Sequence, residues 1–70
     1  MAKYCVNTNP QPTGEHEVHN ITAGCRHLPN PSNRRQLGEH ATCHGAVAAA
    51  KAHYMKVDGC FYCSKACHTR

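Results

Sequence analysis

The sequence predicts a small, zinc-stabilised α+β domain with short antiparallel β-strands, one α-helix and a C-terminal zinc knuckle. Three observations lead to this fold class. The apolar content is low, six cysteines and seven histidines occur in 70 residues, and one alanine-rich stretch has helical periodicity. A chain of this length corresponds to one domain, so we expect residues 1–70 to form a single zinc-binding unit.

The apolar side chains are too few to stabilise the chain by burial alone. Valine, isoleucine, leucine and phenylalanine together make up about 11% of the residues, whereas a share below about 20% is typical of disordered chains. The net charge of +4 is too small to indicate disorder by itself. Small domains of this kind generally depend on disulfides or on a metal ion.

The choice between disulfides and metal depends on the compartment. The first residues, MAKYCVNTNP, contain no apolar segment of the kind found in signal peptides. The longest apolar run, Ala46–Ala50, is too short to cross a membrane. We therefore expect a cytoplasmic monomer without membrane contact, in which thiols stay reduced and dense cysteine indicates metal binding.

Local patterns predict the strands in chain order. Residues 2–7 alternate as a short strand, and the prolines and glycine of residues 8–15 indicate a turn. Residues 16–22 form the second candidate strand, followed by an irregular connection with two prolines over residues 23–36. A short third strand is expected at residues 37–40.

One helix is predicted from residue 43 to about residue 55. Thr42 can cap it, and the alanines that follow favour helix formation. The apolar positions that share one face are Cys43, Ala46, Val47, Ala50 and Tyr54. The turn dipeptide Asp58-Gly59 is expected to follow the end of the helix.

The candidate metal ligands are two separated pairs. Cys60 and Cys63 form a C-x2-C after a turn glycine, a spacing that lets both thiolates reach one ion. An upstream pair, His19-x5-Cys25, can complete a Cys3His set, which is a common structural zinc site. The helix between the pairs would return the chain to close the tetrahedron.

The fourth ligand is not fixed by these patterns. His19 competes with Cys67 and His68, which lie close to the C-x2-C along the chain. Strand alternation puts His19 and Glu17 on one face and His16 on the other, so both histidines can bind one ion only across a bulge. Of the other cysteines, Cys5 is expected to pack in its strand, although it could be a spare ligand.

Three stretches carry a resemblance to a known family: VHNITAGCRHLP, LGEHATCHGAVAAAKAHY and VDGCFYC. Together they resemble a family of small uncharacterised bacterial Cys/His-rich proteins, from about Tyr4 to Thr69. More distantly, the layout is similar to the zinc-binding module of the Ada DNA-repair methyltransferase and to related modules attached to nucleases. Those modules place a ligand pair on strands, then a short helix, then a terminal C-x2-C.

The resemblance to Ada implies zinc ligands at Cys25, Cys60 and Cys63, with His19 in the place of the first ligand. The Ada module has a cysteine there, with a shorter spacer. This chain therefore lacks the thiolate that would accept a methyl group, and methyl transfer is not implied.

Other uses of these cysteines are weaker interpretations. Covalent haem attachment usually requires C-x-x-C-H, and the stretch from Cys63 to His68 has one residue too many. A redox pair at Cys60 and Cys63 would follow the helix, whereas such pairs usually precede one. Cys43 could be a nucleophile in the first helical turn, but its place in the apolar stripe favours a core residue.

The function predicted from the sequence is that of a structural-zinc module that binds a partner. The first alternative is a zinc-knuckle protein that binds single-stranded nucleic acid through Phe61 and Tyr62, although these rings are expected first to cover the metal. The second is a thiol redox or zinc-dependent enzyme. We expect no enzymatic activity, because so small a core leaves little room for a shaped pocket.

Overall fold

A computed structural model describes residues 1–69, and Arg70 lies outside the described residues. Within that part of the chain the predicted α+β class is confirmed, with four strands and one helix. The strands are β1 (Ala2–Asn7), β2 (His16–Asn20), β3 (Arg34–His40) and β4 (Val57–Gly59), the helix is α1 (Cys43–Lys51), and 3-10 turns cover Pro31–Asn33 and Lys65–Cys67.

The sheet has the order β3-β1-β2-β4. β1 pairs antiparallel with both of its neighbours, as predicted, but β4 pairs parallel to β2. The expectation of a purely antiparallel sheet is therefore wrong at this edge, and the predicted turn at Asp58-Gly59 lies in a strand. The chain crosses over through α1 before it reaches β4, so it returns in the same direction as β2. A strand of three residues carries too little alternation to be recognised.

β3 starts earlier than the predicted strand at residues 37–40 and contains a bulge. Tyr4 pairs with Gly38 while Cys5 pairs with Gln36, which leaves Leu37 as the extra residue. Gly38 has a φ of 81°, a conformation that glycine adopts without steric cost. The bulge lets one strand follow β1 over its whole length despite the irregular sequence.

The helix ends at Lys51 rather than near residue 55. The amides of His53 and Tyr54 both donate to the Ala50 carbonyl oxygen, which closes the last turn. The Tyr54 ring then stacks on His16 of β2, with ring centroids 3.8 Å apart. The helix stops because the chain must reverse within a few residues to enter β4.

The core lies between α1 and one face of the sheet. Its buried members are Tyr4, Val6, Val18, Cys43, Ala46 and Ala50. The predicted helical stripe therefore packs inward as expected. Because side chains alternate along a strand, Cys5 and His19, which are register partners, lie on the opposite face, and both are buried.

A disulfide joins Cys43, the first residue of α1, to Cys67 in the C-terminal 3-10 turn. This corrects the expectation that all the thiols are reduced. The Cα atoms of the pair are 6.3 Å apart, because the C-terminal turn packs against both β4 and the start of α1. Within residues 1–69, no helix has the length and apolar character that crossing a membrane would require.

Candidate metal centre

Four side chains converge where β2 and β4 end. The ligand atoms of His19, Cys25, Cys60 and Cys63 all lie within 4.8 Å of one another, a spacing that lets them hold one metal ion. These are the four residues that the sequence predicted as ligands, and we refer to them as the metal-site cluster. Two of them are buried and two are half-buried.

The parallel pairing of β2 and β4 sets the positions of His19 and Cys60. Val18 pairs with Gly59, so the residues that follow them, His19 and Cys60, lie side by side. The Cys60 amide donates to the Val18 carbonyl oxygen at 2.9 Å, which continues the ladder up to the site. His19 lies in β2 and Cys60 directly follows β4, and the two side chains are only 1% and 2% exposed.

Cys25 reaches the site from the loop that follows β2. The Gly24 amide donates to the Ile21 carbonyl oxygen, and Gly24 takes a φ of 71° to make this turn. The turn brings the Cys25 Sγ to 3.8 Å from the Cys60 Sγ. The His27 amide donates to the Cys25 sulfur at 3.4 Å, an interaction that stabilises a thiolate.

Cys63 completes the site through the predicted knuckle. The Ser64 amide donates to the Cys60 carbonyl oxygen at 2.9 Å and closes the turn. The Asn20 amide donates to the Cys63 sulfur at 3.3 Å. The Cys25 and Cys63 sulfurs thus face backbone donors, as in metal-binding knuckles.

The electrostatics of the metal-free site favour neutral groups. Burial raises the pKa of the Cys60 thiol, and burial together with the neighbouring sulfurs raises the pKa of Cys63 to about 12. Burial also lowers the pKa of His19 to about 4, helped by the charges of His27 and Arg34. The imidazole is therefore neutral near pH 7 and can donate a lone pair, whereas the thiols need a cation to ionise.

Glu17 lies on the far side of the His19 ring. The His19 Nδ1 is 3.6 Å from the Cys63 Sγ, and its Nε2 is 3.8 Å from a Glu17 carboxylate oxygen. The Nε2 is buried and has no hydrogen-bond partner within residues 1–69. A histidine that binds metal through one nitrogen commonly directs the other N–H to a carboxylate. The shared face of Glu17 and His19 was the sequence signal for this arrangement.

The competing ligand candidates lie elsewhere. Cys67 is bonded to Cys43, and the His68 Nδ1 faces the Gly59 carbonyl oxygen at 2.9 Å and an Asp58 oxygen at 3.3 Å. Cys5 is a buried free thiol outside the metal-site cluster. Sequence reasoning missed the disulfide because it assigned Cys43 to the core and left Cys67 near the knuckle.

Three rings form a surface beside the site, which we call the knuckle aromatics: His27, Phe61 and Tyr62. His27 stacks on Tyr62 with centroids 4.1 Å apart, and Phe61 meets Tyr62 edge to face. Phe61 is 47% exposed and Tyr62 is 67% exposed. Both rings therefore lie largely at the surface, outside the buried core.

The geometry makes this a candidate metal centre on a compact α+β scaffold, with ligands from β2, a loop and the knuckle. No protein-family model matches the chain, and no curated protein or solved structure matches it either. The resemblance to the Ada zinc module and to the small bacterial family therefore stays a prediction.

Proposed function

We propose that this protein is a small structural-zinc module whose ion stabilises the fold and whose surface binds a partner. The observation that carries the proposal is the convergence of one imidazole and three thiols from separate parts of the chain. Thiolate and imidazole ligands in a four-member set are characteristic of zinc. Calcium and magnesium prefer oxygen ligands, which the metal-site cluster lacks.

The separations within the cluster support a tetrahedral ion. Two thiolates bound to zinc at about 2.3 Å with tetrahedral angles have sulfurs about 3.8 Å apart, and a thiolate and an imidazole have donor atoms about 3.6 Å apart. The Cys25 and Cys60 sulfurs are 3.8 Å apart, and the Cys63 Sγ is 3.6 Å from the His19 Nδ1. One ion can therefore reach these atoms with little movement of the side chains.

The ligand count favours a structural over a catalytic role. Four protein ligands fill a tetrahedral zinc ion and leave no position for an activated water. The buried core contains one large side chain, Tyr4, and otherwise only valine, cysteine and alanine. An ion that joins β2, its following loop and the knuckle would therefore contribute directly to the free energy of folding.

The experiment is a measurement of zinc content and of fold in the same samples. We expect one equivalent of zinc in the purified protein, retained in Cys5→Ala and lost in Cys25→Ser. Cys5→Ala is the matched control, because Cys5 is a free thiol outside the cluster. Chelation should weaken the native circular dichroism and lower the melting temperature, because the ion contributes to the free energy of folding. If the protein chelated free of metal keeps its native spectrum and melting temperature, the proposal is wrong.

The knuckle aromatics favour single-stranded nucleic acid as a candidate partner. Their exposed rings can stack on unpaired bases, and the Lys65 Nζ lies 5.4 Å from the centre of the Phe61 ring, where it can meet a phosphate. The net charge of +4 also favours a polyanion. A protein partner that uses the same rings is the competing possibility.

Fluorescence anisotropy with a labelled single-stranded oligonucleotide tests this candidate partner. We expect binding that weakens as salt increases and that falls at least about fivefold in Tyr62→Ser, since stacking contributes about 1–3 kcal/mol per base. Met55→Ser is the control, because Met55 is fully exposed and lies outside the knuckle. Absence of binding at low salt would leave a protein as the expected partner.

A further inference from the structure

A second group of metal-type ligands lies at the other end of the C-terminal segment. Cys43 and His44 begin α1, Cys67 lies in the last 3-10 turn, and their ligand atoms are all within 4.8 Å of one another. We call these three residues the second cluster. They share no member with the metal-site cluster, and the disulfide now occupies two of the three.

We propose that the second cluster is a redox-gated metal site, which takes a thiophilic divalent ion such as zinc once the disulfide is reduced. In the disulfide, neither sulfur is a thiolate, and so neither binds zinc as a protein ligand does. Reduction leaves two thiols beside an imidazole, a Cys2His donor set.

The chemistry requires a two-electron reductant, such as a thiol in solution. Two thiol molecules, or the two thiol groups of one dithiol, are oxidised, and their sulfurs join in a new disulfide. The bond between Cys43 and Cys67 breaks, and the two electrons and two protons released by the reductant pass to the protein sulfurs. The metal ion then displaces both protons as it binds.

The surroundings of each sulfur suit this exchange. Cys67 is half-buried and lines an open cavity of about 330 Å³, so a reductant can reach its sulfur. Cys43 is the buried leaving group, and it lies in the first turn of a nine-residue helix, whose N-terminus stabilises a thiolate. A reductant that attacks the Cys67 sulfur would therefore release Cys43, which is the better leaving group.

The same features suit metal binding after reduction. The Cα atoms of Cys43 and Cys67 are 6.3 Å apart, so rotation of the side chains can open the sulfurs to the roughly 3.8 Å that a shared zinc ion needs. His44 is exposed and also lines the cavity, so its ring is free to turn toward the ion. Three protein ligands leave one tetrahedral position for water or a small ligand from the cavity.

The test counts zinc in the full-length protein in two redox states. After gel filtration, the oxidised protein is expected to hold one equivalent fewer than protein reduced anaerobically with a phosphine. Thiol titration of denatured samples should give four free thiols in the oxidised state and six in the reduced state. Because the difference between the states is the readout, the second cluster is tested whether or not the metal-site cluster binds zinc.

Two histidine variants make the test specific. His44→Ala should hold the same amount of zinc in both states, whereas His53→Ala, which removes another exposed histidine of the same region, should still gain one equivalent on reduction. The proposal is overturned if the reduced protein gains no zinc, or if reduced His44→Ala gains as much as the wild type with unchanged affinity. Loss of the helical circular dichroism on reduction would overturn it too, because the second cluster requires the folded helix.

Discussion

The His19 Nδ1 lies 3.6 Å from the Cys63 Sγ, although the two residues are 44 positions apart in the chain. One belongs to a central strand and the other to the knuckle that follows the edge strand. In the absence of a cation, burial opposes both ionisation of the Cys63 thiol and protonation of the His19 ring. A divalent ion between them would favour the ionised thiol and would bind the neutral ring through its lone pair.

Metal binding should release protons, and the number of protons released depends on which groups are the ligands. The raised pKa values of Cys60 and Cys63 mean that both thiols are protonated near pH 7, so each must lose a proton to bind zinc. His19, with a pKa of about 4, is already neutral and releases none. We expect at least two protons per zinc, and a fall in affinity of about a hundredfold or more per pH unit of acidification near pH 7. Calorimetry in buffers of different ionisation enthalpy measures the number.

His19→Cys provides the matched comparison, because it exchanges a neutral nitrogen for a thiol. It should release one proton more than the wild type while keeping one equivalent of zinc. An unchanged proton count would show that position 19 is not a ligand.

Without metal, the folded state should be most stable at intermediate pH. The pKa of Cys63 is higher in the folded chain, so its contribution to stability is present below about pH 8.5 and is lost as the pH rises toward 12. The pKa of His19 is lower in the folded chain, so stability is lost as the pH falls from about 6.5 toward 4. Melting temperatures of chelated protein across this range test both signs. With zinc bound, the alkaline loss should disappear, because the thiolates are already ionised.

Glu17 should strengthen metal binding without touching the ion. Its carboxylate lies 3.8 Å from the His19 Nε2, where it can orient the ring and make Nδ1 more basic. We expect Glu17→Gln to raise the zinc Kd by about tenfold, within the range typical of such partners. Glu39→Gln, on an exposed position of β3, is the control and should leave the Kd unchanged. Equal Kd values for both variants would show that Glu17 has no such role.

The fold class and three of the clustered side chains, Cys25, Cys60 and Cys63, could be predicted from the sequence because each left a local mark, whereas His19 was one of three alternatives for the fourth position. The alanine run indicated a helix that starts near residue 43, and the spacing of Cys60 and Cys63 indicated a pair of metal ligands. The low apolar content indicated that another kind of stabilisation was needed, although it could not distinguish zinc from a disulfide.

The rest depended on contacts between distant segments. The parallel pairing of β4 with β2 involves only three residues, and nothing local to Val57–Gly59 indicates its partner. The Cys43–Cys67 bond depends on the packing of the last turn against α1, which no spacing rule encodes. The exposure of Phe61 and Tyr62 likewise could not be inferred from their apolar character.

Gly59 should be required for the close packing of the C-terminal segment beneath the knuckle. A Cβ atom at this position would lie 2.6 Å from the Ser64 carbonyl oxygen and 2.7 Å from the Cys67 Cβ. We expect Gly59→Ala to lower the free energy of unfolding by about 3 kcal/mol, the upper part of the range for overpacking. It should also weaken zinc binding, because Cys60 is the next residue.

Gly38→Ala is the control for the general effect of losing a glycine. Gly38 has a φ of 81° but no atom within 4 Å of its added Cβ, so only backbone strain of about 1 kcal/mol is expected, with zinc content unchanged. Denaturant unfolding of both variants gives the two values. Equal losses would mean that backbone conformation, and not the clash with the C-terminal segment, explains the effect at Gly59.

The disulfide should stabilise the fold independently of the metal-site cluster. It closes a loop with a sequence separation of 24 residues, for which the loss of chain entropy in the unfolded state corresponds to about 3 kcal/mol. The double variant Cys43→Ala/Cys67→Ala should therefore unfold at lower denaturant concentration, while it keeps one equivalent of zinc. Adding a phosphine reductant should lower the stability of the wild type and leave that of the double variant unchanged. If the double variant also loses its zinc, the disulfide and the metal site do not stabilise the fold independently. In that case the C-terminal turn that Cys67 holds fixes the position of Cys63.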